Sequence, residues 1–151
     1  MEDYVTYEQA LRLKELGFNW YNRYSQMFYA TQCYCEGNNQ FFFDTIGPGD
    51  LISSPKMKED ENDGWIEDED YCVLAPTLSQ AAKWLREVKG IYVWVEPEIN
   101  EYDNEIVYLT YVWDNNKRQY PENYDGVKDK DTYEEALSDG ISKSLELIIN
   151  K

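Results

Sequence analysis

Apolar residues recur at helical spacing in three places along the chain, each time just after the same polar opening. Thr6-Tyr7-Glu8-Gln9 sets Thr and Gln in the frame where each side chain satisfies an orphan backbone N–H of the other at a helix start. Ala10, Leu11, Leu13 and Leu16 follow, and Gly17 stands where a helix would stop. Thr77-Leu78-Ser79-Gln80 repeats the opening. Leu78, Ala81, Ala82, Leu85 and Val88 then fall on one face, with Gly90 as the stop. Thr132-Tyr133-Glu134-Glu135 begins a third helix that carries Leu137, Ile141, Leu145 and Ile148 towards the end of the chain. The shared Thr-x-x-Gln/Glu-Ala frame does not require a repeat, because any good helix start uses this chemistry.

Between the helices the pattern changes to β-branched and aromatic runs, as strands prefer. Ile91 to Val95 and Glu105 to Trp113 read as a pair of strands, with Pro97, Asn100 and Asp103-Asn104 in the loose connection between them. The second of these is apolar on both faces. Ile106, Tyr108 and Val112 lie on one, and Val107, Leu109, Tyr111 and Trp113 on the other. Such a strand is covered on both sides, or stacks Tyr and Trp outward. Phe28 to Tyr34 and Gln40 to Thr45 predict an earlier hairpin, turning at Gly37-Asn38-Asn39.

The element order is therefore helix, hairpin, helix, hairpin, helix. Connections this short cannot cross over a parallel sheet, so the fold class is α+β with an antiparallel sheet, over a single domain at 1–151. Helical and strand periodicity place Leu78, Ala82, Leu85, Val93, Val95, Ile106, Val112, Leu137, Ile141 and Leu145 in one core. Two stretches read as long loops, an acidic one at 46–70 and a polar one at 114–131. Loops of that length usually carry function.

Charge narrows the picture. Thirty Asp and Glu against 14 Lys and Arg leave a formal net charge of −16. A field of that sign repels phosphate backbones, which excludes direct nucleic-acid binding and an anionic membrane surface and favours a basic protein partner. The aromatic share of 16%, with 14 Tyr and 5 Trp, sets the chain apart from disordered acidic tails. Tyr and Trp also suit half-exposed contact faces, being large but polar at one end. The acidic start Met1-Glu2-Asp3-Tyr4 lacks a signal region. No apolar run approaches a membrane span. Cys33, Cys35 and Cys72 make a poor disulfide framework. A cytoplasmic setting in a bacterial or phage-infected cell is the expectation.

The chain has no His, which removes His-dependent nucleophiles and His-based metal sites. Cys33-Tyr34-Cys35 has the wrong spacing for a zinc knuckle or a redox CxxC pair, and no glycine-rich phosphate loop is present. The acidic run is the one constellation with chemistry. Glu59, Asp60, Glu61, Asp63, Glu67, Asp68, Glu69 and Asp70 surround Trp65 and Ile66. With Glu59 as the first position, Glu61, Asp63, Gly64 and Asp70 match the third, fifth, sixth and twelfth positions of a calcium-binding EF-hand loop. Glu at the first and Asp at the twelfth position depart from that pattern, and Pro55 and Pro76 oppose flanking helices. A solvated acidic loop, with Trp65 anchoring it on the domain or on a partner, competes with a metal site at Glu59, Glu61, Asp63 and Asp70.

Three segments carry a resemblance: Tyr7-Glu8-Gln9-Ala10-Leu11 through Gly17-Phe18, Ala75-Pro76-Thr77-Leu78-Ser79-Gln80-Ala81-Ala82-Lys83-Trp84-Leu85-Arg86-Glu87, and Thr132-Tyr133-Glu134-Glu135-Ala136. Together they resemble a group of small uncharacterised proteins of gut Bacteroidota and of their phages and mobile elements. The resemblance covers the helix segments and implies a source and an accessory role, with no catalytic residues to carry over.

The expectation is thus a non-enzymatic accessory protein without a cofactor, binding a basic protein through an acidic, aromatic surface. Glu59, Asp60, Glu61, Asp63, Trp65, Glu67, Asp68, Glu69 and Asp70 are the candidate contacts. Its sharper form is an inhibitor that mimics the charge of DNA. The alternatives are a small carboxylate-based hydrolase or Ca²⁺-binding protein using the Glu59–Asp70 segment, and a virion structural component.

Overall fold

All three Thr-led segments form helices in the computed structural model, which describes residues 3–20, 27–31, 34–36, 44–46, 48–52, 57–60, 64–67, 72–120 and 130–149. The elements in chain order are α1 (Tyr7–Glu15), β1 (Met27–Ala30), β2 (Tyr34–Glu36), β3 (Asp44–Ile46), β4 (Leu51–Ile52), β5 (Met57–Asp60) and β6 (Gly64–Glu67). There follow β7 (Cys72–Ala75), α2 (Leu78–Trp84), a π-helical turn (Leu85–Lys89), β8 (Ile91–Ile99), β9 (Ile106–Asp114) and α3 (Tyr133–Ile149). Helices and antiparallel sheets make this an α+β protein.

The helix starts use the expected chemistry. At α1 the Thr6 N–H donates to Gln9 Oε1 at 2.8 Å, and the Gln9 N–H donates to Thr6 Oγ1 at 3.2 Å. At α2 the Thr77 and Gln80 pair repeats both bonds at 3.0 and 3.2 Å. At α3 the Glu135 N–H donates to Thr132 Oγ1. Both glycine stops have positive φ, +93° at Gly17 and +70° at Gly90, a region open to glycine without steric cost. At the end of α1 the Phe18 N–H reaches Leu13 C=O and the Gly17 N–H reaches Lys14 C=O, which satisfies two orphan carbonyls.

The chain divides into two compact units. A discontinuous unit comprises Met1–Gln9 and Thr77–Lys151, and an inserted unit comprises Ala10–Pro76. The boundary falls inside α1.

In the discontinuous unit β8 and β9 form a hairpin paired along its full length, from Ile91↔Asp114 to Ile99↔Ile106. The helix α3 lies across one face of it and also meets α2. Gly140 permits the close approach: a Cβ there would stand 2.5 Å from both Val93 Cγ1 and Thr110 Cγ2. Thr110 Oγ1 donates to Ala136 C=O at 2.6 Å, and the Tyr133 ring meets Tyr108 edge-on. Leu78, Leu85, Val112, Leu137, Ile141 and Leu145 are buried as their periodicity predicts. Gln9, 3% exposed, donates from Nε2 to Ser138 C=O at 2.9 Å and to Ser142 Oγ at 2.7 Å, tying the first turn of α1 to α3. The start of the chain also bridges to the start of α2, where the Leu78 N–H donates to Asp3 C=O.

Four core expectations change, and Val88 leaves the predicted helix face. Ile106 is 59% exposed, because α3 begins at Tyr133 beside Tyr108 and the hairpin runs on past it. Val93, Val95 and Ala82 are only half-buried. Val88 is exposed, since the last turn before Gly90 is π-helical, its Gly90 N–H bonding to Leu85 C=O. That wider turn rotates Val88 off the apolar stripe.

The inserted unit holds a three-stranded antiparallel sheet of order β4-β1-β7 and two separate strand pairs, β2–β3 and β5–β6. Phe28, Ala30, Ile52 and Cys72 form its core cluster, with Leu74 packed against it. Among the described residues seven strands therefore stand between α1 and α2, where the periodicity predicts two. The stretch at 46–70, expected as a loop, carries β4, β5 and β6. Of the expected hairpin between 28–34 and 40–45, residues 32–33 and 40–43 lie outside the described residues. β1 pairs with β4 and β7, and β2 pairs with β3 through Cys35↔Thr45. The expected turn at 37–39 lies outside the described residues.

Candidate functional site

The acidic run supplies only part of its expected site. Glu59 and Asp60 lie on β5 and Trp65 and Glu67 on β6, with Glu59 paired to Trp65 and Asp60 to Gly64. The backbone through the described positions Met57–Asp60 and Gly64–Glu67 is a two-stranded antiparallel ladder. Glu61, Asp63, Asp68, Glu69 and Asp70 lie outside the described residues. Among the described residues no group of three or more Cys, Asp or Glu is placed to hold a metal ion.

A second acidic and aromatic constellation is fully described, on the β8–β9 hairpin. Strand alternation sends odd-numbered β8 residues to the face that α3 covers and even-numbered ones to the opposite face. The opposite face carries Tyr92, Trp94, Glu96 and Glu98 from β8. Its neighbours from β9 are Val107, Leu109, Tyr111 and Trp113. Register sets Trp94 directly across from Tyr111. The two rings stack with centroids 5.3 Å apart and planes 15° from parallel. Beside them Trp113 meets Tyr120 edge-on at 5.2 Å. Tyr120 is brought there by a turn whose first residue, Asp114, is buried and accepts the Asn116 N–H at 2.9 Å. Gln119 closes that turn by exchanging backbone hydrogen bonds with Asp114.

Charge on this hairpin has one sign. From Gly90 to Asn116 there is no Lys or Arg, while Glu96, Glu98, Glu101, Asp103, Glu105 and Asp114 are all acids. Trp94 Nε1 donates to Glu96 Oε1 at 3.4 Å. The half-buried Tyr111 phenol is held above its ordinary pKa, first by burial and then by the Glu96 and Glu98 carboxylates and Tyr120. At the tip, Asn100 and Asp103 side chains accept the N–H groups of Tyr102 and Glu105, and Asn104 takes a positive φ of 61°. This turn holds Tyr102 fully exposed between the exposed Ile99 and Ile106.

No family model, curated protein or solved structure matches the chain. The site's chemistry must be read from its own atoms.

An indole–phenol stack flanked by carboxylates suits a cation. The ring faces attract it through their quadrupoles, and the flat, weakly hydrated arginine guanidinium fits best. Nothing here pairs a nucleophile with a base. The outward stacking of Tyr and Trp is one of the two arrangements that the doubly apolar β9 pattern allows. The contribution of Glu96 and Glu98 escapes a sequence reading, because it depends on which face each strand residue takes. The visible signal is the cation-free interval from Gly90 to Asn116 combined with aromatic residues at alternate positions. As for the membrane, no helix among the described residues is long and apolar enough to cross one.

Proposed function

We propose that this chain is a non-enzymatic interaction protein that binds a basic protein through the outer face of the β8–β9 hairpin. The observation that carries this reading is the Trp94–Tyr111 stack, set beside Glu96 and Glu98 on a hairpin without a single cation between Gly90 and Asn116. Aromatic anchors with charged neighbours are the usual energetic centre of a protein interface. Carboxylates around them speed encounter with a positively charged partner and reject acidic ones. The overall charge of −16 acts in the same direction. A partner whose basic surface otherwise holds nucleic acid would be blocked by such binding, as a mimic of DNA charge would block it.

The test is capture of partners from a bacterial lysate by the immobilised protein, at low and at high salt, with the Trp94→Ala/Tyr111→Ala double variant beside it. Basic proteins held at low salt, released at high salt and missed by the variant are the expected result. Capture by the variant equal to that by the native protein would move the interface elsewhere.

A further inference from the structure

The outer edge of β8 is a strand template, and which of its backbone groups face outward follows from hydrogen bonds on the far side of β9. The Tyr108 N–H and C=O both bond to Lys130, at 3.0 and 3.1 Å. Asp114 bonds in the same way to Gln119. Neither residue therefore exchanges hydrogen bonds with its β8 partner, Pro97 or Ile91. In an antiparallel ladder bonded and non-bonded pairs alternate. Val93 and Val95 thus also turn their N–H and C=O groups away from β9. No strand among the described residues pairs with that edge.

We infer that the edge of β8 at Val93 and Val95 binds an extended, Lys/Arg-rich segment of the partner as an added strand. This rests on the binding of a basic partner proposed above, and adds the mode and the shape of the ligand. An added strand makes main-chain bonds to Val93 and Val95, while every second side chain lies along the row Tyr92, Trp94, Glu96 and Glu98. Cations at those alternate positions meet the Trp94 ring and both carboxylates. The intervening side chains lie beside Val93 and Val95 and are apolar. A second copy of this chain is the wrong occupant, because its own β8 edge brings acids and no cation to the row that holds Glu96 and Glu98. Pro97 has no N–H to offer outward, so the ladder is limited to the part of β8 nearest Trp94. Charge and proline are common devices against self-pairing of edges. Here both leave room for a basic strand.

The experiment uses the whole protein and a synthetic peptide alternating Arg with Val. Two further versions carry N-methyl groups on one or the other alternate set of amides. An added strand turns only one set towards β8, so one methylated peptide should bind about tenfold or more weakly and the other like the parent. Hydrogen exchange at the Val93 and Val95 amides should slow when the parent binds. If both methylated peptides bind like the parent, with exchange at Val93 and Val95 unchanged, the edge proposal is overturned. Recognition by the aromatic face then stands. If no peptide binds, the edge proposal also fails, and the lysate capture decides the broader reading independently.

Discussion

Gly140→Ala adds one methyl group at the tightest contact of α3 with the β8–β9 hairpin. Its Cβ would lie 2.5 Å from Val93 Cγ1 and 2.5 Å from Thr110 Cγ2, whereas carbon atoms pack best at about 3.5–4.0 Å. Each neighbour must therefore retreat by about 1 Å. Both are β-branched and stiff at χ1. Thr110 is also held by its buried bond to Ala136 C=O, and turning it away would cost about 1–3 kcal/mol. Moving α3 instead loosens the core, an overpacking cost of about 1–3 kcal/mol. Against this, Ala is favoured over Gly inside a helix by about 0.5–1 kcal/mol. Packing wins, and the variant should lose about 1–2 kcal/mol. That lowers the melting temperature by about 2–8 °C for a chain of this size. Urea unfolding followed by tryptophan fluorescence measures the loss. Adding Val93→Ala to Gly140→Ala removes one of the two clashes, so the double variant should be more stable than the sum of the single effects implies. A Gly140→Ala protein as stable as the native one would refute this packing.

Replacing Gln9 with Leu strips Ser138 and Ser142 of their buried donor and should cost about 1–3 kcal/mol, read as a lower urea midpoint. The Tyr111 phenol, held above its ordinary pKa, should ionise after exposed tyrosines in a phenolate absorbance titration. Because the unfolded phenol ionises first, this group's contribution to stability is intact below its ordinary value of 10.0 and declines as pH climbs above it. Tyr111→Phe should remove that alkaline decline. A charge of −16 predicts no gel shift of duplex or single-stranded DNA at about 150 mM salt. A shift there would point to Lys83 on α2 with Arg86 and Lys89 on the π-helical turn that follows it.

The helices were legible because their starts and stops are written in neighbouring residues. Thr6 and Gln9, or Thr77 and Gln80, need no distant partner to close their frame, and Gly17 and Gly90 mark the ends by backbone freedom alone. The β8–β9 pair was legible from its β-branched and aromatic run. Ile106 was not, since its exposure is set by where α3 stops covering the hairpin. Gly140 is a related case, an apparent weak point in a helix until Val93 and Thr110 stand against it. The strands β4, β5 and β6, two to four residues long, are too short to show a period. The candidate site divides in the same way. Acids at 59–70 stand out because they are neighbours in sequence, while Glu96, Trp94 and Tyr111 become one site only through strand register.

The chain leaves the discontinuous unit after Gln9 and re-enters it at Thr77. As a ribosome makes the protein, the opening residues emerge first but meet their partners late. Asp3 waits for Leu78, and Gln9 waits for Ser138 and Ser142 near the far end of the chain. The inserted unit is synthesised whole in the interval, so the hairpin face and its cover of α3 are completed last. A nascent chain stalled before α3 would carry a finished β4-β1-β7 sheet and an unclosed β8–β9 hairpin, whose Val93 and Thr110 face still lacks its helix.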